Sequence, residues 1–179
     1  AQRPQASGDL PQAAQDYQRF LADALRHLAE GYARAGDYQN GVKFFEEALA
    51  VEPESVATDL HLAYAQAALL ARDMPTAKTQ ARIVVTADPK NFAARLVLGE
   101  ALLQTDENEE ARKQLEAAVA LDSNYKNGLA LATAYLALSD TKNASRLFSE
   151  MSAGFGNKAA IHLDFGRAYA EAGNPDLAI

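Results

Sequence analysis

Apolar and small residues between Phe92 and Asn124 fall into two blocks separated by a polar break. Within each block they recur at steps of three or four residues, which places them on one face of a helix. The break at residues 105–108, Thr-Asp-Glu-Asn, has the chemistry that begins a helix. The pattern predicts two amphipathic helices that need neighbours to bury their apolar faces. The positions are Leu98, Gly99, Leu102 and Leu103, then Ala111, Leu115, Ala118 and Val119.

The same order of small, bulky and polar positions recurs along the chain. A small residue in the first helix of each pair is followed by a bulky residue and then by a polar turn. The steps between successive small residues are 36, 34, 33 and 34 residues. A near-constant step of this length predicts an array of stacked helical hairpins. The small residues are Ala29, Ala65, Gly99, Ala132 and Gly166.

A shortened copy precedes the first complete one. Gly8, Ala13 and Tyr17 match the second helix of a pair, but Ala13 lies only 28 residues before its counterpart Gly41. About six residues are therefore missing relative to a 34-residue period. Two explanations stay open: a trimmed linker near residues 20–24, with two helices running almost continuously, or a loop absent from the sequence.

Residue size predicts how the two helices of a pair approach each other. Small residues in the second helices face those of the first, so that the backbones come close, while aromatic side chains fill the space between pairs. Pro53 and Pro89 are expected to end helices, and Pro75 is expected in the first turn of one. The small residues of the second helices are Gly41, Ala77, Ala111 and Ala144.

This pattern resembles the tetratricopeptide repeat family, a 34-residue helix–turn–helix unit. The resemblance extends from Gly8 to Ile179. There are two departures. Ala-Gly-Phe-Gly-Asn at residues 153–157 replaces a proline linker and is expected to bend or loosen the stack. The tryptophan common early in the first helix is replaced, in successive repeats, by Leu25, His61, Arg95, Gly128 and His162.

The resemblance implies one all-α array over residues 1–179, a right-handed α-solenoid superhelix of stacked antiparallel helix pairs. Residues 1–21 would be the second helix of a truncated repeat, and residues 159–179 a truncated last repeat. The complete repeats are predicted at 22–55, 56–91, 92–124 and 125–158. Because the pattern is cut at both ends, the chain is expected to belong to a longer sequence.

Composition narrows the classes of function. The formal charge is -7 and no basic run occurs, which disfavours a nucleic-acid or anionic-membrane surface. No apolar run approaches the roughly 20 residues of a membrane span. The absence of cysteine excludes disulfides and thiolate chemistry and leaves the compartment open between cytoplasm and periplasm.

Candidate catalytic and metal chemistry finds no support in the sequence, so no enzyme, cofactor or metal is expected. His61 and His162 stand at the tryptophan position, which favours packing over catalysis. The Gly-x-Gly-x-x-Ala at residues 154–159 lacks the preceding strand of a phosphate loop. The acidic residues 106–110 lack the glycine and ligand spacing of a calcium loop, and helix capping explains them.

In the family that the pattern resembles, the first helices line a concave face that holds a peptide or a helix. Leucines recur on this predicted face, which suggests an apolar or amphipathic ligand. The alternative is that neighbouring first helices bury these leucines against each other. Lysine and asparagine positions that grip a chaperone carboxylate in some relatives are not matched, apart from Arg26. The predicted groove residues are Arg26, Glu30, Leu62, Gln66, Leu69, Leu96, Glu100, Leu103, Leu129, Thr133, Leu136, Leu163 and Arg167.

The function expected from these observations is a non-enzymatic protein–protein interaction scaffold that binds an apolar or amphipathic segment of a partner protein or peptide in this groove. Two alternatives remain: a self-assembly module that stacks end to end through open repeats, and a regulatory domain of a larger protein.

Overall fold

The structure is a computed structural model of the chain, and it describes residues 10–51, 58–155 and 159–177. Within these ranges there are nine α-helices, one short 3₁₀ helix at Pro175–Leu177 and no strand, so the all-α prediction is confirmed. The helices are α1 Leu10–Arg34, α2 Tyr38–Val51, α3 Thr58–Leu70, α4 Met74–Ala87, α5 Phe92–Leu103, α6 Asn108–Leu121, α7 Tyr125–Ala137, α8 Thr141–Phe155 and α9 Ala159–Glu171.

One backbone turn recurs at the end of each first helix. A single residue with positive φ ends the helix, and the N–H of the next residue donates to the carbonyl five positions back at 2.8–3.0 Å. This arrangement satisfies carbonyl groups that the helix end leaves without partners. Because this turn recurs at the same place in each repeat, the helix pairs form at the predicted spacing. The positive-φ residues are Gly36, Arg72, Asp106, Ser139 and Gly173.

Aspartate follows the positive-φ residue in three of these turns and caps the next helix. The carboxylates of Asp37, Asp73 and Asp140 accept a hydrogen bond from the N–H three positions on, at 3.1–3.3 Å. In the third turn Glu107 stands at this position and makes no capping hydrogen bond through its side chain. It accepts from the Thr105 hydroxyl instead. The prediction that the acidic residues cap this helix is therefore wrong for Glu107, whose side chain is one methylene longer than aspartate.

Helix α1 spans the short first step. It runs without interruption through 25 residues, Leu10–Arg34, across the position where a linker would lie. In this sequence two helical segments are therefore fused end to end, as the trimmed-linker explanation predicts. The predicted repeat boundaries otherwise coincide with helix pairs and stay a prediction.

The chain forms two compact units, residues 1–87 and residues 88–179, each with its own core. In the first unit, Phe45 of α2 stacks on Tyr64 of α3 with ring centroids 5.2 Å apart. In the second, Phe148 of α8 stacks on Phe165 of α9 at 4.1 Å, and Leu115 packs into the same buried cluster. In both units aromatic side chains join successive pairs, as predicted for Phe45 and Phe148.

The predicted close approach of first and second helices is confirmed at two glycines. A Cβ atom on Gly41 would lie 3.2 Å from the Ala29 carbonyl oxygen, and one on Gly99 would lie 2.5 Å from Cγ of Leu115. Both distances leave no ordinary van der Waals space for a methyl group. At Gly99 the closest neighbour is therefore Leu115, whereas the sequence suggested Ala111.

Two of the tryptophan positions make polar contacts, whereas at a third the His162 ring packs edge-on against Phe165, with centroids 6.1 Å apart, as predicted. His61 Nδ1 lies 2.6 Å from Gln80 Oε1, and Arg95 donates from Nη1 to Gln114 Oε1 at 2.7 Å. The two pairs stand 34 residues apart, so a polar link between first and second helix replaces the buried ring. His162 is exposed on α9.

The predicted linker after the fourth repeat is partly helical. Gly154 and Phe155 end α8, and the Phe155 ring packs edge-on against Tyr125 at 5.8 Å. The expectation of a linker beginning at residue 153 is therefore wrong. Residues 156–158, which are half of the phosphate-loop-like motif at 154–159, lie outside the described residues.

Candidate partner-binding surface

The first unit carries a shallow depression between the first helices α1 and α3, with a volume of about 300 Å³. It brings together Glu30 and Gln66, two of the predicted groove residues, from successive repeats. Its floor is apolar, because Phe45 and small residues lie beneath it. Besides the two groove residues, the lining consists of Ala33, Arg34, Phe45, Ala63, Ala67 and Leu70.

Charged groups at the rim of this depression are paired within the chain. Glu30 accepts from Arg34 at 3.0 Å and lies 3.6 Å from Arg26. Arg26 also contacts Asp23 at 3.0 Å. Because the Arg26 guanidinium is engaged by two carboxylates, it is not poised to grip the carboxylate of a partner. Such exposed pairs contribute little to stability, about 0–1 kcal/mol each.

Leucines of the first unit differ in their exposure. Leu62 and Leu69 are half-buried, whereas 64% of the neighbouring Leu70 is exposed and the side chain lines the depression. Ala63 and Ala67 also line it, although sequence reasoning did not single them out. Their spacing of four residues in α3, flanking Gln66, is the signal that could have identified them.

Leucines of the second unit divide between core and surface. Leu96 and Leu136 are only 6% and 3% exposed and belong to the buried cluster, so the packing alternative describes these two positions. Leu103 and Leu129 are half-buried and pack against the same cluster. Leu163 on α9, in contrast, is 64% exposed. A continuous ladder of exposed leucines is therefore absent from the described part of this unit.

Two of the polar groove positions of the second unit, Glu100 and Thr133, make contacts within the chain. The Glu100 carboxylate lies 3.6 Å from Lys126 Nζ, and burial raises the pKa of Glu100 while Lys126 partly offsets that effect. The Thr133 hydroxyl donates to the Leu129 carbonyl at 3.0 Å. Arg167 is exposed on α9. Among these three residues, Glu100 on α5 contacts the next first helix, α7, through Lys126.

Helix α9 is fixed by two polar contacts as well as by its buried face. The Tyr125 hydroxyl donates to Asp164 at 2.8 Å, and the hydroxyls of Ser145 and Tyr169 lie 2.6 Å apart. Burial, followed by the hydrogen bond and charge of Asp164, raises the pKa of Tyr125 to about 12. These contacts hold α9 so that Leu163 faces away from the core.

Two further features bear on the class of site. Across the described residues, no three histidine, aspartate or glutamate side chains converge as they would around a metal ion. None of the helices in the same ranges is both long and apolar enough to cross a membrane. The surface described above offers a partner an apolar depression. The charged side chains at its rim form ion pairs with each other within the chain.

The fold and this surface define the class: an all-α helical-repeat protein whose candidate binding surface lies on first helices. Residues 68–135 match the family model described as Tetratricopeptide repeat. The resemblance seen in the sequence is therefore confirmed over this segment. No curated protein matches the chain.

Solved structures extend the same fold to most of the chain. A crystal structure of MamA protein matches with a TM-score of 0.72 and 18% identity over 88% of this chain and 86% of that one. The thermophilic TPR protein TTC0263 of Thermus thermophilus matches with a TM-score of 0.69 and 18% identity over 88% and 86%. A MamA fragment (41-end) from Desulfovibrio magneticus RS-1 gives 0.69 and 22% over 74% of each chain. At these identities the likeness shows the fold alone.

Proposed function

We propose that this protein is a non-enzymatic scaffold that binds an apolar or amphipathic segment of a partner protein on its first helices. The observation that carries the proposal is the depression between α1 and α3, where an apolar floor is rimmed by Leu70 and by the Arg34–Glu30 pair. Apolar grooves with a polar rim are the usual recognition surface for amphipathic helices.

The size of the depression supports a side-chain anchor. Its volume of about 300 Å³ lies at the lower end of the range for ligand pockets, about 300–1,000 Å³. A partner would therefore place one apolar side chain or a pair of them in the depression and lay the rest of its segment along α1 and α3. Leu70 would be covered on binding.

The groove position most suitable for testing is Leu70, because it is exposed. Substitution of the buried Leu96 by glutamate would place a charge in the core and unfold the second unit. Leu70→Glu removes apolar contact at the depression without placing a charge in the core. Ile83→Glu on α4 is the matched control, since Ile83 is also an exposed apolar residue of the first unit and does not line the depression.

The experiment is selection of binders from a displayed library of amphipathic and scrambled peptides, followed by fluorescence anisotropy with the selected peptides. We expect Leu70→Glu to weaken binding at least about tenfold, as loss of a central apolar contact does, and Ile83→Glu to leave it unchanged. Failure to select any amphipathic peptide, or equal binding by the Leu70→Glu variant, would remove the depression as the binding site.

A further inference from the structure

The first half of α1 displays aromatic side chains where equivalent helices bury theirs. Tyr17 is 67% exposed and Phe20 is 71% exposed. By the repeat spacing, Tyr17 corresponds to Phe45 and Phe148, which are 0% and 4% exposed. In those repeats the ring packs on the first helix of the following pair, as the Phe45–Tyr64 stack shows. Within the described part of the chain, no first helix covers Tyr17 as α3 covers Phe45.

The second half of α1 also exposes side chains that equivalent helices bury. Leu28 is 49% exposed, although its equivalents Tyr64, Leu131 and Phe165 are 4–6% exposed. Tyr32 is 36% exposed, although its equivalent Tyr169 is 7% exposed. This half of α1 is a first helix whose face for a preceding second helix is open. The two exposed faces of α1 therefore correspond to the two surfaces that pack against each other where one repeat meets the next.

The shortened linker explains why the halves do not meet within one chain. In an ordinary repeat a turn separates a second helix from the next first helix, so the two lie antiparallel and in contact. Here α1 continues straight through the missing turn, so its two segments follow one another along one axis. Tyr17 and Leu28 are 11 residues apart in the sequence, which is about 16 Å along a helix. The segment 12–20 can cover the face 24–32 only on another copy.

We infer that two copies of this chain associate through α1, in an antiparallel pair in which each copy supplies the second-helix segment that the other lacks. Tyr17 of each copy lies opposite the partner's Leu28, as Phe45 lies opposite Tyr64, and a two-fold axis passes between Leu21 and Ala24. Shortening a hinge between two packed elements is a known route to such reciprocal exchange. The contact is isologous and closes as a dimer.

The composition of the surface fits this occupant, and its area is that of a weak, concentration-dependent dimer. Positions 13, 14, 17, 20, 21, 24, 28, 31 and 32 form one stripe along α1, and none carries a charge. The four large exposed side chains on it would contribute roughly 400 Å² per copy. That is about half of the roughly 800 Å² per partner in a standard interface, before the flanking alanines are counted.

The stripe is separate from the proposed partner-binding surface. Glu30, Ala33 and Arg34, which line the depression, lie on another side of α1 from Tyr17 and Leu28 by helical periodicity. Association through α1 therefore does not depend on the proposed function, and the two can be tested apart. Leu70→Glu is expected to remain dimeric.

The first test is sedimentation equilibrium of the full chain between micromolar and hundreds of micromolar. We expect a monomer–dimer equilibrium that Tyr17→Glu plus Phe20→Glu weakens by roughly 100-fold, because apolar anchors become charges. Ile83→Glu serves as the matched control and should sediment like the wild type. Circular dichroism verifies that helicity is kept. A wild-type chain that stays monomeric throughout this range overturns the inference.

The second test fixes the geometry with cysteines, which the chain lacks. Under mild oxidation, a Tyr17→Cys plus Leu28→Cys variant should form covalent dimers with both bonds between copies, because a disulfide needs Cα atoms within about 7 Å. Tyr17→Cys plus Arg26→Cys, with the second thiol on the opposite side of α1 from Tyr17, should form few. Equal cross-linking of both variants would contradict the antiparallel pairing.

The third test restores the linker. A six-residue insertion after Leu21, with the sequence of residues 87–92, brings the first step back to the ordinary period. The segment before the insertion can then fold onto its own chain, so we expect a monomer with unchanged helicity. A dimer as strong as that of the wild type would show that the exchange is not the cause of association.

Discussion

At the scale of single residues, close helix packing depends on the absence of a side chain at particular positions. Gly99 faces Leu115, whose side chain is fully buried and would meet a Cβ atom at 2.5 Å. A Cβ on Gly128 would lie 2.9 Å from the Met151 thioether, which can adapt more easily because methionine is flexible. Glycines that look alike in the sequence therefore differ in how strictly they are required.

Substitution of Gly99 by alanine tests this requirement. Overpacking of a tight core costs about 1–3 kcal/mol, which exceeds the roughly 0.8–1.0 kcal/mol that alanine gains over glycine inside a helix. We expect a lower free energy of unfolding in urea titrations. Gly154→Ala is the control, since no atom lies within 4 Å of its new Cβ, and it should be neutral or slightly stabilising. A stabilised Gly99→Ala variant would contradict the packing described.

Glu100 provides a pH-dependent prediction. Burial raises the pKa of its carboxyl in the folded state above the ordinary value of 4.5, so the folded state holds the proton more tightly than the unfolded chain does. Stability from this group is present below the ordinary pKa and is lost as the pH rises through the folded-state pKa. We expect Glu100→Gln to unfold like the wild type near pH 4 and to be more stable at pH 7.

Lys126 supplies the control for Glu100. Its charge lowers the pKa of Glu100 and so opposes the effect of burial. In a Lys126→Met background the stabilisation by Glu100→Gln at pH 7 should grow. Urea unfolding of the four proteins at pH 4, 5.5 and 7 measures both effects. A gain that is the same at every pH would exclude ionisation of Glu100 as its cause.

At the scale of elements, the turn between paired helices is the unit that repeats most faithfully. A positive-φ residue followed by a capping aspartate ends one helix and begins the next. The exceptions in this series are Glu107 in the third turn and Asn174 in the fifth. The third turn keeps the backbone hydrogen bond although its side-chain cap is missing. The backbone part of the turn therefore forms without the capping side chain.

Paired substitutions test the role of the capping aspartate. Asp73→Ala removes the bond to the Thr76 N–H and should cost about 1 kcal/mol of stability, with a range of about 0.5–2 for lost caps. Glu107→Asp introduces a shorter carboxylate at the equivalent place and should stabilise by about 0.5–1 kcal/mol. Thermal unfolding of both variants beside the wild type provides the measurement. A loss of stability in Glu107→Asp would show that the Thr105 contact matters more than a cap.

At the scale of the whole molecule, stability is divided between two cores. Residues 88–179 contain a buried cluster that joins α7, α8 and α9, with rings of Phe148, Phe165 and Tyr169 in contact. Repeat arrays gain stability from contacts between adjacent pairs, so a part with several pairs can fold without the rest.

The fragment 88–179 tests this division. We expect it to be helical and to unfold cooperatively in urea, at a lower midpoint than the intact chain. Far-UV circular dichroism and the urea transition are the measurements. The same fragment with Phe148→Ala should lose about 3–5 kcal/mol, since it loses a buried ring. A fragment without helical signal would show that this core needs the first unit to form.

The sequence by itself determined the helices, their pairing and the small residues between them. Those features follow from local rules, because helix periodicity, turn residues and side-chain size act within one or two neighbouring repeats. The positions of Gly41 and Gly99 could be predicted for this reason. Repeat spacing also placed Glu30 and Gln66 together, since residues one repeat apart take equivalent places.

Only the tertiary structure decided which leucines are core and which are surface. Leu96 and Leu163 occupy equivalent positions in the sequence, yet one is 6% and the other 64% exposed. Burial depends on which neighbours surround a helix, and those neighbours differ between repeats. The same holds for α1: the missing residues left two explanations open, and only the continuous helix separated Tyr17 from the face that would otherwise bury it.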